Sequence, residues 1–170
     1  KYSSNGVHTQ NGYNMAVERI NSKGGIKVGG KTYKFEIIYY DDESNPKRAA
    51  QLAERLISQD GVEFMLGPYS SGLTKAMAPV TEKYGVPMVE ANGASRSLFT
   101  KGYKYLFAVL APANLYLDVA IRTAVELNGG KGVNIAMAFE QDAFSQDVRL
   151  GIVDAAEDTG SKIVIDDKLP

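Results

Sequence analysis

Val62-Glu63-Phe64-Met65-Leu66-Gly67-Pro68-Tyr69-Ser70-Ser71-Gly72 passes from a short apolar run into a glycine-bounded turn carrying two hydroxyls. Leu73, Ala76, Met77, Val80 and Tyr84 then recur at helical spacing as far as Gly85. A buried strand, a Gly-bounded turn and a helix start bring free backbone N–H groups and the Ser70 and Ser71 hydroxyls to one point, with the positive end of the helix dipole behind them. Such a point suits a carboxylate or phosphate without help from Lys or Arg. The same residues also fit a plain helix N-cap, since Ser is among the commonest capping residues.

Outward from this centre the chain alternates helix and strand signals. Upstream, Tyr13, Ala16, Val17 and Ile20 mark a helix over 9–22 stopped by Gly24-Gly25. Gly29-Gly30 is turn-like, and Tyr33, Phe35, Ile37 and Tyr39 alternate along a strand over 31–40. Ser44-Asn45-Pro46 supplies a cap and a first-turn proline for a helix whose stripe is Ala49, Leu52, Ala53, Leu56 and Ile57. Pro79 is expected to bend the helix that ends at Gly85. Downstream, strands are predicted over 87–91, 105–110, 133–139 and 162–165, with helices over 114–128 and 143–159. Repeated strand–helix–strand units imply an α/β fold with a doubly wound, mostly parallel sheet and helices on both faces. Ligands of such sheets sit at the carboxyl ends of the strands. The loops after Leu66 and after Ala91 both leave such ends, and their expected convergence favours binding over capping alone for Ser70 and Ser71.

Composition narrows the function. The 170 residues carry 19 basic and 20 acidic side chains, a formal net charge of −1, with 44% apolar and 23% charged content. That is globular, and without a basic patch nucleic acid is not expected as a partner. No apolar run approaches the roughly 18 residues of a membrane span, so direct membrane insertion is not expected either. Zero cysteines and the single His8 exclude thiol nucleophiles and multi-His metal sites. Asp41-Asp42-Glu43 reads as acidic residues favouring the coming helix start rather than as a metal cluster. Gly67 to Gly72 lacks the Lys-Ser/Thr ending of a phosphate loop, no Gly-x-Gly-x-x-Gly follows a strand, and neither serine sits in Gly-x-Ser-x-Gly. No catalytic set, metal or cofactor is therefore expected.

Four motifs in order, Ala16-Val17-Glu18-Arg19-Ile20-Asn21-Ser22-Lys23-Gly24-Gly25-Ile26, Tyr40-Asp41-Asp42-Glu43-Ser44-Asn45-Pro46, Gly67-Pro68-Tyr69-Ser70-Ser71 and Gly85-Val86-Pro87-Met88, resemble the type I periplasmic binding proteins of the leucine/isoleucine/valine-binding group. The resemblance implies a two-lobed, non-catalytic receptor, periplasmic or extracellular and lipid-anchored if from a Gram-positive source. It would capture a small amino acid or aromatic carboxylate and present it to a membrane ABC permease. The same architecture also serves as a ligand-sensing module. Carried across, the carboxylate grip falls on Ser71 and Ser70, the second loop on Asn92, Gly93, Ala94 and Ser95, and further contacts on Tyr69, Phe144 and Asn5. Ala94 stands where amino-acid binders commonly place Thr, and Phe144 where Tyr is common, so an aromatic acid without an ammonium group competes with an amino acid unless Asn92 or Ser95 replaces the lost hydroxyl. On the family pattern the first lobe covers 1–111, lacking its first strand, and a truncated second lobe covers 112–170.

Overall fold

The computed structural model describes residues 1–169. Its centre is a three-stranded parallel sheet in the order β3 (Met65–Leu66), β4 (Met88–Glu90), β5 (Leu106–Ala108), with Met65 opposite Met88 and Met88 opposite Leu106. Helix α3 (Ser71–Tyr84) crosses between β3 and β4, and α2 (Pro46–Ser58) packs beside it. Ala49, Ala53 and Leu56 of α2 and Leu73, Met77 and Ala78 of α3 share one buried cluster with Met65, Met88 and Leu106. The parallel pair β6 (Asn134–Glu140) and β7 (Lys162–Leu169) is flanked by α4 (Asp118–Leu127) and α5 (Ala143–Thr159). Ile121, Met137, Ile152 and Ala155 make the separate core there.

The helix boundaries follow local chemistry. Asn45 caps α2 by accepting from the Lys47 and Arg48 N–H groups, with Pro46 at the first helical position. Gly85 and Gly160 close α3 and α5 in the left-handed conformation, at φ of 67° each. α3 continues through Pro79 to Tyr84.

Four segments depart from the sequence expectation. Of the buried strand expected over 62–66, only β3 enters the sheet, and Phe64 before it is 72% exposed. Helix α1 (Ser3–Ser22) starts six residues before the expected position 9, and Tyr13, Val17 and Ile20 are half-buried rather than core. Of the strand expected over 31–40, only β2 (Lys31–Tyr33) enters a ladder, antiparallel to β1 (Ile26–Val28) across Gly29-Gly30. Both glycines have positive φ, 57° and 80°, the geometry a two-residue hairpin turn requires. Beyond β2, Asn21 of α1 stands in for a strand: its side chain donates to the Phe35 carbonyl at 2.8 Å and accepts from the Phe35 N–H at 2.9 Å. The helix expected over 114–128 is a 3₁₀ turn at Ala113–Leu115 followed by α4.

Asp41-Asp42-Glu43 builds a turn rather than a helix-start charge. Asp41 and Asp42 accept the Glu43 and Ser44 N–H groups two residues on, which holds Glu43 and Ser44 at φ of 54° and 58°. The Ser44 hydroxyl then accepts the Tyr2 N–H at 2.9 Å and anchors the start of the chain.

Candidate functional site

β3 and β4 run parallel and in register, so the segments that leave them, 67–70 and 91–95, emerge side by side at the carboxyl edge of the sheet. A cavity of about 490 Å³ opens there, lined by Asn5, His8, Thr9, Gly12 and Tyr13 of α1, Tyr69 from the first loop, and Ala91 and Asn92 from the second. Tyr13 ties α1 to this edge by donating its hydroxyl to the Gly67 carbonyl at 2.9 Å. Burial pushes the Tyr13 phenol well above its ordinary range, so it stays a neutral donor. A second depression, lined by Ala124, Leu127, Asn128 and 132–134, lies away from both loops.

The predicted site residues separate into distinct positions. Asn5, Tyr69 and Asn92 line the cavity. Ser70 caps α3 through the Leu73 N–H, at φ 132°, a backbone region that disfavours side chains. Its carbonyl takes both the Thr74 N–H at 3.0 Å and the Thr74 hydroxyl at 2.9 Å, and these bonds hold the unusual conformation in place. Ser71, 2% exposed, accepts the Ser95 N–H on its hydroxyl oxygen at 3.1 Å, and so joins the two loops. Gly93, Ala94 and Ser95 are buried. Phe144 stands apart at the start of α5, edge-on to Tyr116 with ring centroids 5.5 Å apart.

Two buried acids, unremarked in the sequence reading, organise these loops. Glu90, 0% exposed at the end of β4, accepts the Asn92 and Gly93 N–H groups on Oε1 at 2.5 and 2.6 Å, and its Oε2 lies 2.6 Å from the Thr74 hydroxyl. Burial pushes its carboxyl above the ordinary range against the pull of those hydrogen bonds. Asp147 of α5 accepts the Ser95 hydroxyl at 2.6 Å and the Ser97 N–H at 3.2 Å, which connects the second loop to the β6–β7 unit. A charge at the end of a strand paired on both sides, with Gly67 and Gly93 around it, has no solvent-facing option and must find partners inside.

The donors and acceptors on this edge are hydroxyls, amides, a phenol and backbone N–H groups, a set suited to orienting a small polar molecule. Among the described residues no group of three or more His, Cys, Asp or Glu is placed to hold a metal ion.

A family model described as periplasmic binding protein matches residues 1–170. The chain is 27% identical over 151 residues to the leucine-, isoleucine-, valine-, threonine- and alanine-binding protein of Pseudomonas aeruginosa, covering 89% of this chain and 39% of that protein. It is 26% identical to the leucine-specific-binding protein of Salmonella typhimurium, covering 92% of this chain and 41% of that one. The branched-chain amino acid transporter substrate-binding protein of Streptococcus pneumoniae, solved with isoleucine, superposes with a TM-score of 0.77 at 26% identity over 94% of this chain and 43% of its own. A solute-binding protein from R. palustris, solved with 4-hydroxybenzoate, also gives 0.77, at 27% identity over 93% and 42%. The chain thus spans about two fifths of the length of the curated relatives it matches. With a parallel sheet, a polar cavity at its carboxyl edge and a family match along the whole sequence, the chain belongs to the type I periplasmic binding proteins, in the leucine/isoleucine/valine-binding group.

Proposed function

We propose that the protein carrying this chain is an extracytoplasmic solute-binding protein of an ABC importer, and that it holds a small carboxylate in a cleft between two lobes without transforming it. The observation that carries this reading is the cavity where the two strand-end loops meet α1. The relatives' names support transport over the sensing role. Chain segments 1–111 and 112–170 are read as parts of the two lobes, with Pro112 at the joint and Phe144 facing the ligand from the second. The permease is the partner, and the lipid anchor applies if the source is Gram-positive. No described helix is long and apolar enough to cross a membrane.

An aromatic acid is favoured over an amino acid. Ala94 offers no hydroxyl, and that of Ser95 is spent on Asp147. Asn92 is then the polar side chain of the second loop left at the cavity, and an ammonium short of a partner costs about 1–3 kcal/mol. Small molecules released from purified full-length protein, identified by mass spectrometry, should include an aromatic carboxylate in stoichiometric amount. Incubated with the protein and followed by NMR, that ligand should be recovered unchanged, and its conversion to a new compound refutes the receptor reading.

Ser71→Ala tests the grip. The Ser71 oxygen already serves the Ser95 N–H, while its proton has no protein acceptor among the described residues. If that proton goes to the ligand carboxylate, the variant loses about 1.5–3 kcal/mol of binding, ten- to more than a hundredfold in Kd. Calorimetric titration beside a melting curve decides: intact affinity with lowered stability makes Ser71 a brace for the second loop only. Closure around the ligand should also compact the full-length protein. A radius of gyration unchanged on saturation, by solution scattering, contradicts a two-lobed clamp.

A further inference from the structure

The Thr74 hydroxyl has one proton and two oxygens within reach, the Ser70 carbonyl at 2.9 Å and Glu90 Oε2 at 2.6 Å. Both contacts are satisfied at once only if a second proton lies between Thr74 and Glu90. Oε1 is fully occupied as an acceptor by the Asn92 and Gly93 N–H groups, so that proton belongs on Oε2. We propose that Glu90 is a positioning residue of the ligand cleft, held as the neutral acid: its Oε2–H donates to Thr74, Thr74 donates to the Ser70 carbonyl, and Oε1 gathers the second loop.

One side chain thereby fixes both strand-end loops, and the role deepens the receptor reading above by assigning what sets the loop geometry. The space around it is made for this use. A Cβ at Gly67 would land on Oε2, and one at Gly93 would come within 2.7 Å of the Thr74 hydroxyl and 2.9 Å of Glu90 Cγ. Desolvation acts in the same direction, since burial raises the Glu90 carboxyl. The titratable group that faces it is Tyr13 of α1, neutral for the reason already given. Its other partners, Thr74 of α3 and the backbone of Asn92 and Gly93, carry no charge.

The test needs no ligand, so it stands apart from the receptor reading. Glu90→Gln keeps the shape and both roles of the neutral acid, an acceptor toward the loop and a donor toward Thr74. In full-length protein, denaturant unfolding of wild type and Glu90→Gln is followed from pH 4 to pH 8. The unfolded glutamate ionises near about 4.3, whereas the folded one keeps its proton. Above that pH the wild-type folding constant should therefore fall relative to the variant by about tenfold per pH unit, until Glu90 itself ionises. A ratio that is flat or rises with pH means an ionised Glu90 and overturns the proposal. Infrared difference spectra of wild type minus variant, taken at a pH inside the falling window, should show a protonated carboxyl band, and its absence overturns the proposal equally. For the positioning role, amide exchange across 68–71 and 91–94 should stay slow in Glu90→Gln and quicken at least tenfold in Glu90→Ala. Unchanged protection in Glu90→Ala refutes it. If Glu90→Ala does not fold, Glu90→Thr, which keeps a short hydroxyl but cannot reach both loops, supplies the same comparison.

Discussion

Gly67→Ala should unfold the site more severely than any surface change in this chain, by about 3–5 kcal/mol in a denaturant titration. Gly67 has an ordinary φ, so no backbone strain enters; the cost is space. The added methyl would fall on Glu90 Oε2, 2.6 Å from Cδ and 3.2 Å from the Glu90 Cα. Overpacking alone costs about 1–3 kcal/mol. The carboxyl cannot swing clear without abandoning Thr74, Asn92 and Gly93, and unsatisfied buried groups add about 1–3 kcal/mol more. A double-mutant cycle checks the cause. Gly67→Ala combined with Glu90→Ala should cost clearly less than the sum of the two single changes. Additive losses would place the damage elsewhere.

Gly151→Ala should be nearly as damaging, about 3 kcal/mol, although alanine is the better helix former by roughly 1 kcal/mol. Gly151 lies buried in the middle of α5, where the turn at Ala113–Leu115 presses on the helix. Its added Cβ would meet the Asn114 carbonyl oxygen, 2.6 Å from the carbonyl carbon and 2.8 Å from Cα. All three are backbone atoms, so no side chain can turn aside; α5 or the 113–115 turn must move. Either movement also loosens Asp147, one turn earlier on the same helix, from Ser95 and Ser97. Stability equal to or above wild type in chemical denaturation would show that helix propensity outweighs this packing.

Much of this was legible in the residues. The run from Gly67 to Gly85 announced turn and helix because each signal agreed with its neighbours: Gly-Pro turn, helical spacing, glycine stop; the apolar run before it marked the strand's place, but only Met65–Leu66 pairs. Asn45 and Pro46 did the same for α2. The edge where the site forms followed from topology alone, because parallel strands must send their loops to one side. The β1–β2 hairpin was missed because Gly29-Gly30 was read as a turn before a single strand rather than between two, and three-residue strands carry little alternation. Extended residues beyond Tyr33 find no ladder among the described residues, and Asn21 satisfies Phe35 by side-chain bonds that no periodicity reveals. Glu90 and Asp147 escaped for a different reason. An acid in a strand or on a helix reads as surface until the tertiary partners that bury it are known, here the Thr74 hydroxyl and the Ser95 hydroxyl. Ser71 was assigned to the ligand, and its oxygen also joins the loops.

The central claim, that the carboxyl edge of β3 and β4 grips a small carboxylate, is tested most directly by mapping amide shifts in ¹⁵N-labelled full-length protein titrated with 4-hydroxybenzoate and with L-leucine. The account predicts saturable shifts concentrated at 69–72 and 91–95 and along the Asn5 to Tyr13 face of α1, stronger for the aromatic acid. Saturable shifts centred on the distant depression around Leu127 and Asn134, or no response of the strand-end loops to either compound, would contradict it.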